Sequence, residues 1–187
     1  MRFFTSDTHF GHAAVIDYCN RPFKDVEEMN EELIRRWNIL VTDSDVVYHM
    51  GDFSFLNSTK TKEIVSRLRG TIVLIRGNHD KKPHRFFTSV FPNYFITLPS
   101  SVVGAANGEV KLSHYPYKGV SCDERDFSER QLDDQGHWLL HGHVHCEWKQ
   151  RGRMINVGVD QWAYAPVSEQ EIIDLISSQP RPKDGGK

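Results

Sequence analysis

Long apolar runs are missing from these 187 residues. None approaches the roughly 20 residues that a bilayer-spanning helix needs. The opening Met1-Arg2-Phe3-Phe4-Thr5-Ser6 turns polar at once, without the apolar stretch of a secretory leader. Cysteine is scarce: Cys19, Cys122 and Cys146 are odd in number and far apart, a poor disulfide framework for a chain long enough to bury a core. These absences predict a cytoplasmic protein with no membrane partner. Nor is there an excess of either charge. Lys+Arg number 23 against Asp+Glu 25, a net charge of -2, so no global positive field is available to hold a nucleic-acid backbone. Long duplex nucleic acid is therefore excluded as an expected partner. Apolar residues at 39% and charged residues at 26% belong to a folded globular chain, expected as a single domain over residues 1–178 with a loose tail over 179–187.

What is present is a βαβ-like rhythm. Arg2 to Ser6 reads as a strand, Asp7 to His12 as a loop, and His12 to Cys19 as a short helix. Asp25-Val26-Glu27-Glu28 is a capping-box variant, and Val26, Met29, Leu33, Trp37 and Leu40 then recur at helical spacing. Asp45 to Met50 is a second strand, Lys60 to Leu68 a second helix closed by Gly70, and Thr71 to Ile75 a third strand, apolar on both faces. That alternation argues for a parallel α/β core. After Pro83 the chain becomes β-rich, with strands expected at Tyr94–Leu98, Ser101–Ala105, Glu109–Ser113, His137–Leu140 and Met154–Val157 and a hairpin turn at Asn107-Gly108. Cys122 to Gln135 is the longest apparent loop, and a last helix opens at Ser168-Glu169-Gln170-Glu171.

The chain has ten histidines, most in short clusters beside Asp, Asn and Gly. The clusters are Asp7-Thr8-His9, Gly51-Asp52, Gly77-Asn78-His79-Asp80, His114, and His141-Gly142-His143. The first three follow directly on predicted strands, where ligands bind in open α/β sheets. Asp7/His9 and His141/His143 repeat the spacing i, i+2, which on extended backbone turns both side chains to one side. Carboxylate, imidazole and one amide oxygen, with no Cys, suit Mn, Fe, Zn, Co or Ni better than Ca, Mg or a thiolate cluster. Asp7, His9, Asp52, Asn78, His114, His141 and His143 are too many ligands for one ion with an open position, and fit two divalent ions sharing Asp52. The remaining histidines have plainer readings: His49 and His137 sit in strands, His84 follows Pro83 at a helix start, and His12 and His145 stand near the cage without a required position.

These blocks resemble the calcineurin-like metallophosphoesterases, whose pattern is D-x-H, then G-D, then G-N-H-[E/D], then H, then G-H-x-H. All five occur in order between Asp7 and His143. The resemblance implies an α/β fold: a βαβ sandwich of two mixed sheets flanked by helices, with a dinuclear metal site at strand ends. Carried over, Asp7, His9, Asp52 and His143 would hold one metal and Asp52, Asn78, His114 and His141 the other, with Mn favoured. His79 would lie beside the substrate phosphate as the general acid. The opening blocks and the run Val15 to Phe23 look like a small branch found in phage and bacterial genomes.

Phosphoprotein phosphatases of that family continue G-D as G-D-x-x-D-R, whereas here Gly51-Asp52 runs on as Phe53-Ser54-Phe55-Leu56. The Asp that supports the catalytic His and the Arg that grips phosphate are both missing. Asp80 is then a candidate partner for His79, and His12, Asn78 and Arg76 are candidates for substrate contact. Two divalent ions with Asp7 and Asp52 leave a local charge of about +2, which attracts a phosphate ester despite the net negative chain. A water between ions roughly 3.5–4 Å apart would be lowered in pKa towards neutrality and attack phosphorus in line. The expected activity is hydrolysis of a small phosphate ester, a diester such as a 2′,3′-cyclic nucleotide before a monoester, with apolar contact from Phe10, Phe53 or Phe55. The rival class is a non-catalytic scaffold of the same fold, disfavoured because every ligand block is filled.

Overall fold

The computed structural model describes residues 1–90, 100–105, 108–120 and 128–178. The first half runs β1 (Arg2–Thr5), α1 (Ala14–Tyr18), α2 (Val26–Leu40), β2 (Val46–His49), α3 (Ser58–Arg67), β3 (Thr71–Leu74) and α4 (His84–Val90). The second half runs β4 (Ser100–Ala105), β5 (Gly108–Ser113), β6 (Trp138–His141), β7 (Gln150–Arg151), β8 (Met154–Asn156), β9 (Val167–Ser168) and α5 (Glu169–Ser177). The expected strand at Tyr94–Leu98, the first part of the Cys122–Gln135 loop and the 179–187 tail lie outside the described residues. Among the described residues no helix is long and apolar enough to cross a membrane.

Capping chemistry sets the helix starts. Asp25 has extended backbone and its carboxylate accepts the Glu28 N–H at 2.8 Å, which opens α2 at Val26. Asn57 does the same for α3 through Lys60 N at 3.0 Å, so that helix begins two residues before the expected Lys60. Ser168 and Glu171 close a full capping box on α5. The buried stripe of α2 is Met29, Leu33, Ile34 and Trp37, whereas Leu40 is 43% exposed. The helix stops there, and the buried Val41 of the following turn takes the next core position.

Two mixed sheets result, as the resemblance implied. The first has the order β3-β2-β1-β9, with β1, β2 and β3 parallel and β9 antiparallel to β1. The second has the order β4-β5-β6-β8-β7, parallel from β5 through β8 and antiparallel at both edges. Ala105 pairs with Gly108 across the expected hairpin. Alternation along each strand divides the core. Phe3, Val47, Ile72 and Leu74 face the helices and pack with Met29, Leu33, Trp37 and Ile64. Phe4 and Tyr48 point the other way and meet Val110, Leu112, Leu140 and Ile155 between the sheets. Parallel strands carry their carboxyl ends to one edge, so the loops after β1, β2, β3, β5 and β6 open at a common place.

Leu140 is fully buried between the sheets, while Ile39 on α2 is 64% exposed. Leu140→Ala should therefore lower unfolding free energy by about 2–5 kcal/mol and Ile39→Ala by no more than about 0.5 kcal/mol. Urea unfolding followed by circular dichroism measures both. Equal losses would contradict this placement of the core.

Candidate metal centre

The loops at that edge hold unusual backbone. Asp7 (φ 56°), His9 (φ 51°), Asp52 (φ 56°), His143 (φ 70°) and His145 (φ 43°) all lie in the left-handed region, which side chains other than Gly, Asn and Asp rarely adopt. Such residues persist when their surroundings hold them. Here the loops bond to one another: Asp7 N donates to Gly51 O at 3.0 Å, His9 N to Asp52 O at 3.1 Å and Phe10 N to Phe53 O at 3.0 Å. Buried Asp80 joins the next pair of loops. Its carboxylate accepts from Asp52 N at 2.7 Å, Gly77 N at 2.9 Å and Phe53 N at 3.2 Å. Both of its oxygens accept from backbone, so Asp80 ties the loop of Asp52 to the loop that carries His79. Gly77 and Gly142 have no room for a side chain, since a Cβ would strike the Asp52 carboxylate in one case and Ser6 and Asp7 in the other.

Held this way, the side chains converge. Asp52 Oδ2 lies 3.6 Å from His9 Nε2, 3.6 Å from His114 Nε2 and 3.9 Å from His79 Nε2. Asp7 Oδ1 lies 3.8 Å from His9 Nε2 and 3.9 Å from His145 Nε2. His114 Nε2 also faces Asn78 Oδ1 at 2.9 Å and His143 Nδ1 at 3.2 Å. Two groups of mutually close ligand atoms emerge: Asp7 with His9 and His145, and Asp7 with Asp52 and His114. His9, Asp52 and His145 of these groups line a cavity of about 480 Å³ bordered also by Tyr18, Asn78, His79, His143 and Cys146.

Proton bookkeeping shows what this cage lacks. His114 Nδ1 sits 2.7 Å from Met50 O, and a carbonyl only accepts, so the ring proton is on Nδ1. In the neutral ring Nε2 then carries a lone pair, and it faces the amide oxygen of Asn78 and the carboxylate of Asp52. A proton on Nε2 satisfies these acceptors, and so would a cation held between them. Asp7 Oδ1 and His9 Nε2 are likewise buried without a hydrogen-bond partner. Burial pushes the Asp52 carboxyl up to about 7, with the His114 side chain opposing and Asp7 and Asp80 adding to the rise. Burial also lowers His9 to about 3, so its imidazole is neutral at pH 7. Asp7 is held well below the carboxylate range because the His145, His9 and His114 side chains around it outweigh its burial. Carboxylates, neutral imidazoles and an amide oxygen of this kind fit a divalent cation.

Asp7, His9, Asp52, Asn78, His114 and His143 come together as expected, with His79 at the cavity wall. His141 does not. It belongs to none of the close groups among the described residues; its Nδ1 faces Gly142 O at 2.8 Å and its ring packs on Trp148, centroids 4.8 Å apart. His145 stands beside Asp7 and His9, where His143 was expected, and His143 meets His114, where His141 was expected. The sequence carried that signal, because Gly142, His143 and His145 meet the G-H-x-H spacing, whereas the expected pair His141 and His143 lies two residues earlier in the chain. Arg76 is also displaced from its expected role. It donates to Asp80 O at 2.9 Å and Lys82 O at 3.0 Å and its guanidinium lies over Phe87, away from the cavity. His12 stays at the rim, stacked on Phe55 at 4.0 Å with Nδ1 3.1 Å from His9 Nδ1. Phe10 and Phe53 are buried in the helix-side core and cannot touch substrate, whereas Phe55 is 39% exposed. His49 is structural, with Nδ1 accepting from Gly51 N at 3.2 Å.

A family model described as the calcineurin-like phosphoesterase superfamily domain matches residues 2–167. An uncharacterized protein of Methanocaldococcus jannaschii is 37% identical over 180 residues, covering 91% of this chain and 88% of its own. The Gene 66 protein of Mycobacterium phage L5 is 33% identical over 195 residues, covering 93% of each. A crystal structure of a protein of unknown function from Aquifex aeolicus superposes with a TM-score of 0.70 at 27% identity, covering 94% of this chain and 98% of that one. With its Asp and His side chains gathered at the strand ends, the chain belongs to the calcineurin-like phosphoesterase superfamily, a family of metal-dependent phosphoesterases.

Proposed function

We propose that the chain hydrolyses small phosphodiesters with two divalent metal ions. The observation that carries the metal reading is the gathering of ligand atoms of Asp7, His9 and His145, and of Asp7, Asp52 and His114, within 4.8 Å of one another, with Asp7 Oδ1 and His9 Nε2 buried and without a hydrogen-bond partner. Asp7, His9, Asp52 and His145 would hold one ion, and Asp52, Asn78, His114 and His143 the other. When bound, the ions supply positive charge for the phosphoryl oxygens and an acidified water as nucleophile. Burial holds the charge of His9 down, so its imidazole stays unprotonated as a ligand. His79 is less enclosed than the ligands, its side chain 31% exposed on the cavity, and its backbone N–H is fixed by Asp52 Oδ1 at 2.8 Å. As the bond to the leaving oxygen breaks, that oxygen would take a proton from the His79 imidazolium, and the water that bonds to phosphorus would release one proton to solvent.

The preference for diesters rests on what surrounds His79. Phe55 stands where phosphatases of the family carry a polar group, and its ring is 4.7 Å from that of His79. Among the described residues lining the cavity there is no Arg or Lys. A monoester dianion would find no cationic grip beyond the metals, while the second organic group of a diester would find Phe55 and the 58% exposed Tyr18. Two aromatic surfaces beside the phosphate suit a nucleoside, so small nucleotide diesters, including 2′,3′-cyclic ones, are the leading substrate class.

Chelation should abolish turnover and Mn should restore it at least as well as Mg. The restored enzyme should show a higher kcat/KM for bis-p-nitrophenyl phosphate than for p-nitrophenyl phosphate. A tenfold preference for the monoester, about 1.4 kcal/mol in transition-state binding, would overturn the diester reading.

His145→Ala should reduce bound Mn from two equivalents towards one, measured by elemental analysis after gel filtration, and His141→Ala should leave both. Loss of an equivalent on changing His141 with none on changing His145 would restore the arrangement implied by the sequence resemblance.

His79→Ala should lower kcat on the order of 10²–10⁴-fold for an alkyl ester with metal content unchanged. The loss should be smaller for a p-nitrophenyl ester, whose leaving group hardly needs a proton. Equal losses for both substrates would argue against the acid role.

A further inference from the structure

Arg21 follows α1 and its side chain is wholly buried. A guanidinium in that position costs several kcal/mol unless its donors are matched, and here they are. Nε donates to Asp160 Oδ1 at 2.8 Å and Nη2 to Asp160 Oδ2 at 2.9 Å, a two-pronged grip. Nη2 also reaches Asp7 O at 2.8 Å, and Nη1 reaches Thr8 O at 3.2 Å and Met29 Sδ at 3.4 Å. Those two carbonyls belong to the loop whose Asp7 and His9 are both left-handed. The cation thus holds the back of the Asp7–His9 loop while the side chains point into the cage.

Asp160 makes the link to the other flank. It lies in a single 3-10 turn (Val159–Gln161), buried, and Oδ2 stands 3.4 Å from His145 Nδ1. A carboxylate at Nδ1 holds the ring proton there, so Nε2, 3.9 Å from Asp7 Oδ1, is the nitrogen a cation would take. The His145 carbonyl is pinned as well, by Asn156 Nδ2 at 2.8 Å and Gln161 Nε2 at 2.9 Å. The recorded hydrogen bonds and ion pairs of Arg21 and Asp160 include none to Asn78, His114 or His143.

We infer that Arg21 and Asp160 are positioning residues for one half of the metal centre, the half made by Asp7, His9 and His145, and set its affinity apart from that of the other half. This rests on the two-metal reading above. The test is Mn titration of the metal-free chain by calorimetry, on the wild type, Asp160→Asn and Arg21→Lys, with thermal unfolding of each metal-free chain alongside. Asp160→Asn keeps the volume and loses the charge; Arg21→Lys keeps the charge and loses the two-pronged grip, and serves where the first variant folds poorly. One Mn equivalent should weaken about 10–100-fold, the usual cost of losing a ligand's supporting group, while the other keeps its wild-type affinity. A purely structural pair would lower the melting temperature and leave both affinities alike, and that result overturns the inference. So does equal weakening of both equivalents. A wild-type chain that takes up no Mn would instead overturn the metal reading itself.

Discussion

Two buried carboxylates, Asp7 and Asp52, set the terms for the whole strand-end edge. Each is taken out of water at a point where imidazole lone pairs also converge, and a low-dielectric site cannot hold such a set without compensating positive charge. In the chain by itself protons supply it. Asp52 rises towards neutral pH through its burial, and His145 becomes a stronger base because the Asp7 and Asp160 carboxylates outweigh its own burial. A divalent ion would do the same work with better geometry. The fold tolerates this arrangement because hydrogen bonds to the backbone, from neighbouring loops and from Asp80 and Arg21, bring the loops together.

Those backbone bonds explain why so many non-glycine residues sit at positive φ. Thr5 O, Gly51 O, Asp52 O and Phe53 O each receive an N–H from a neighbouring loop, so the loops after β1 and β2 form one laced unit. Asp80 extends it to the loop after β3, and Arg21 clamps it from the helix side. Strain of about 1–3 kcal/mol per left-handed residue is borne by this lacing and by the intersheet core beneath it. The cage is therefore rigid on its protein side, and the groups left exposed around it, His79, Phe55 and Tyr18, are the ones able to meet a substrate.

Much of this was legible in the chain alone. Period-2 and period-3.6 patterns located β1, β2, β3 and α2 within a residue or two, because those elements bury one or both faces against a core. Asn57 was passed over as a cap and α3 began earlier than expected, since capping competes with hydrophobic periodicity in setting a helix start. Leu40 fitted the apolar spacing and yet faces solvent, because the helix ends where the sheet beneath it does. Ligand types and their order along the chain pointed to metal chemistry for the reason that few other sites gather Asp, Asn and His beside Gly after successive strands.

Residue type and spacing by themselves determined the α/β class, the strand-end placement of the clusters and six of the metal-ligand candidates, because these depend on local pattern and on the rule that parallel strands end together. Tertiary structure alone decided the rest. It set the His141 ring against Trp148 at the end of a strand, out of the cage. It turned Arg76 away, buried Phe10 and Phe53, and brought Arg21 and Asp160, far apart in sequence, into one buried pair behind the Asp7 loop. Such outcomes depend on which groups meet across more than a hundred residues of chain, and local spacing carries no information about that.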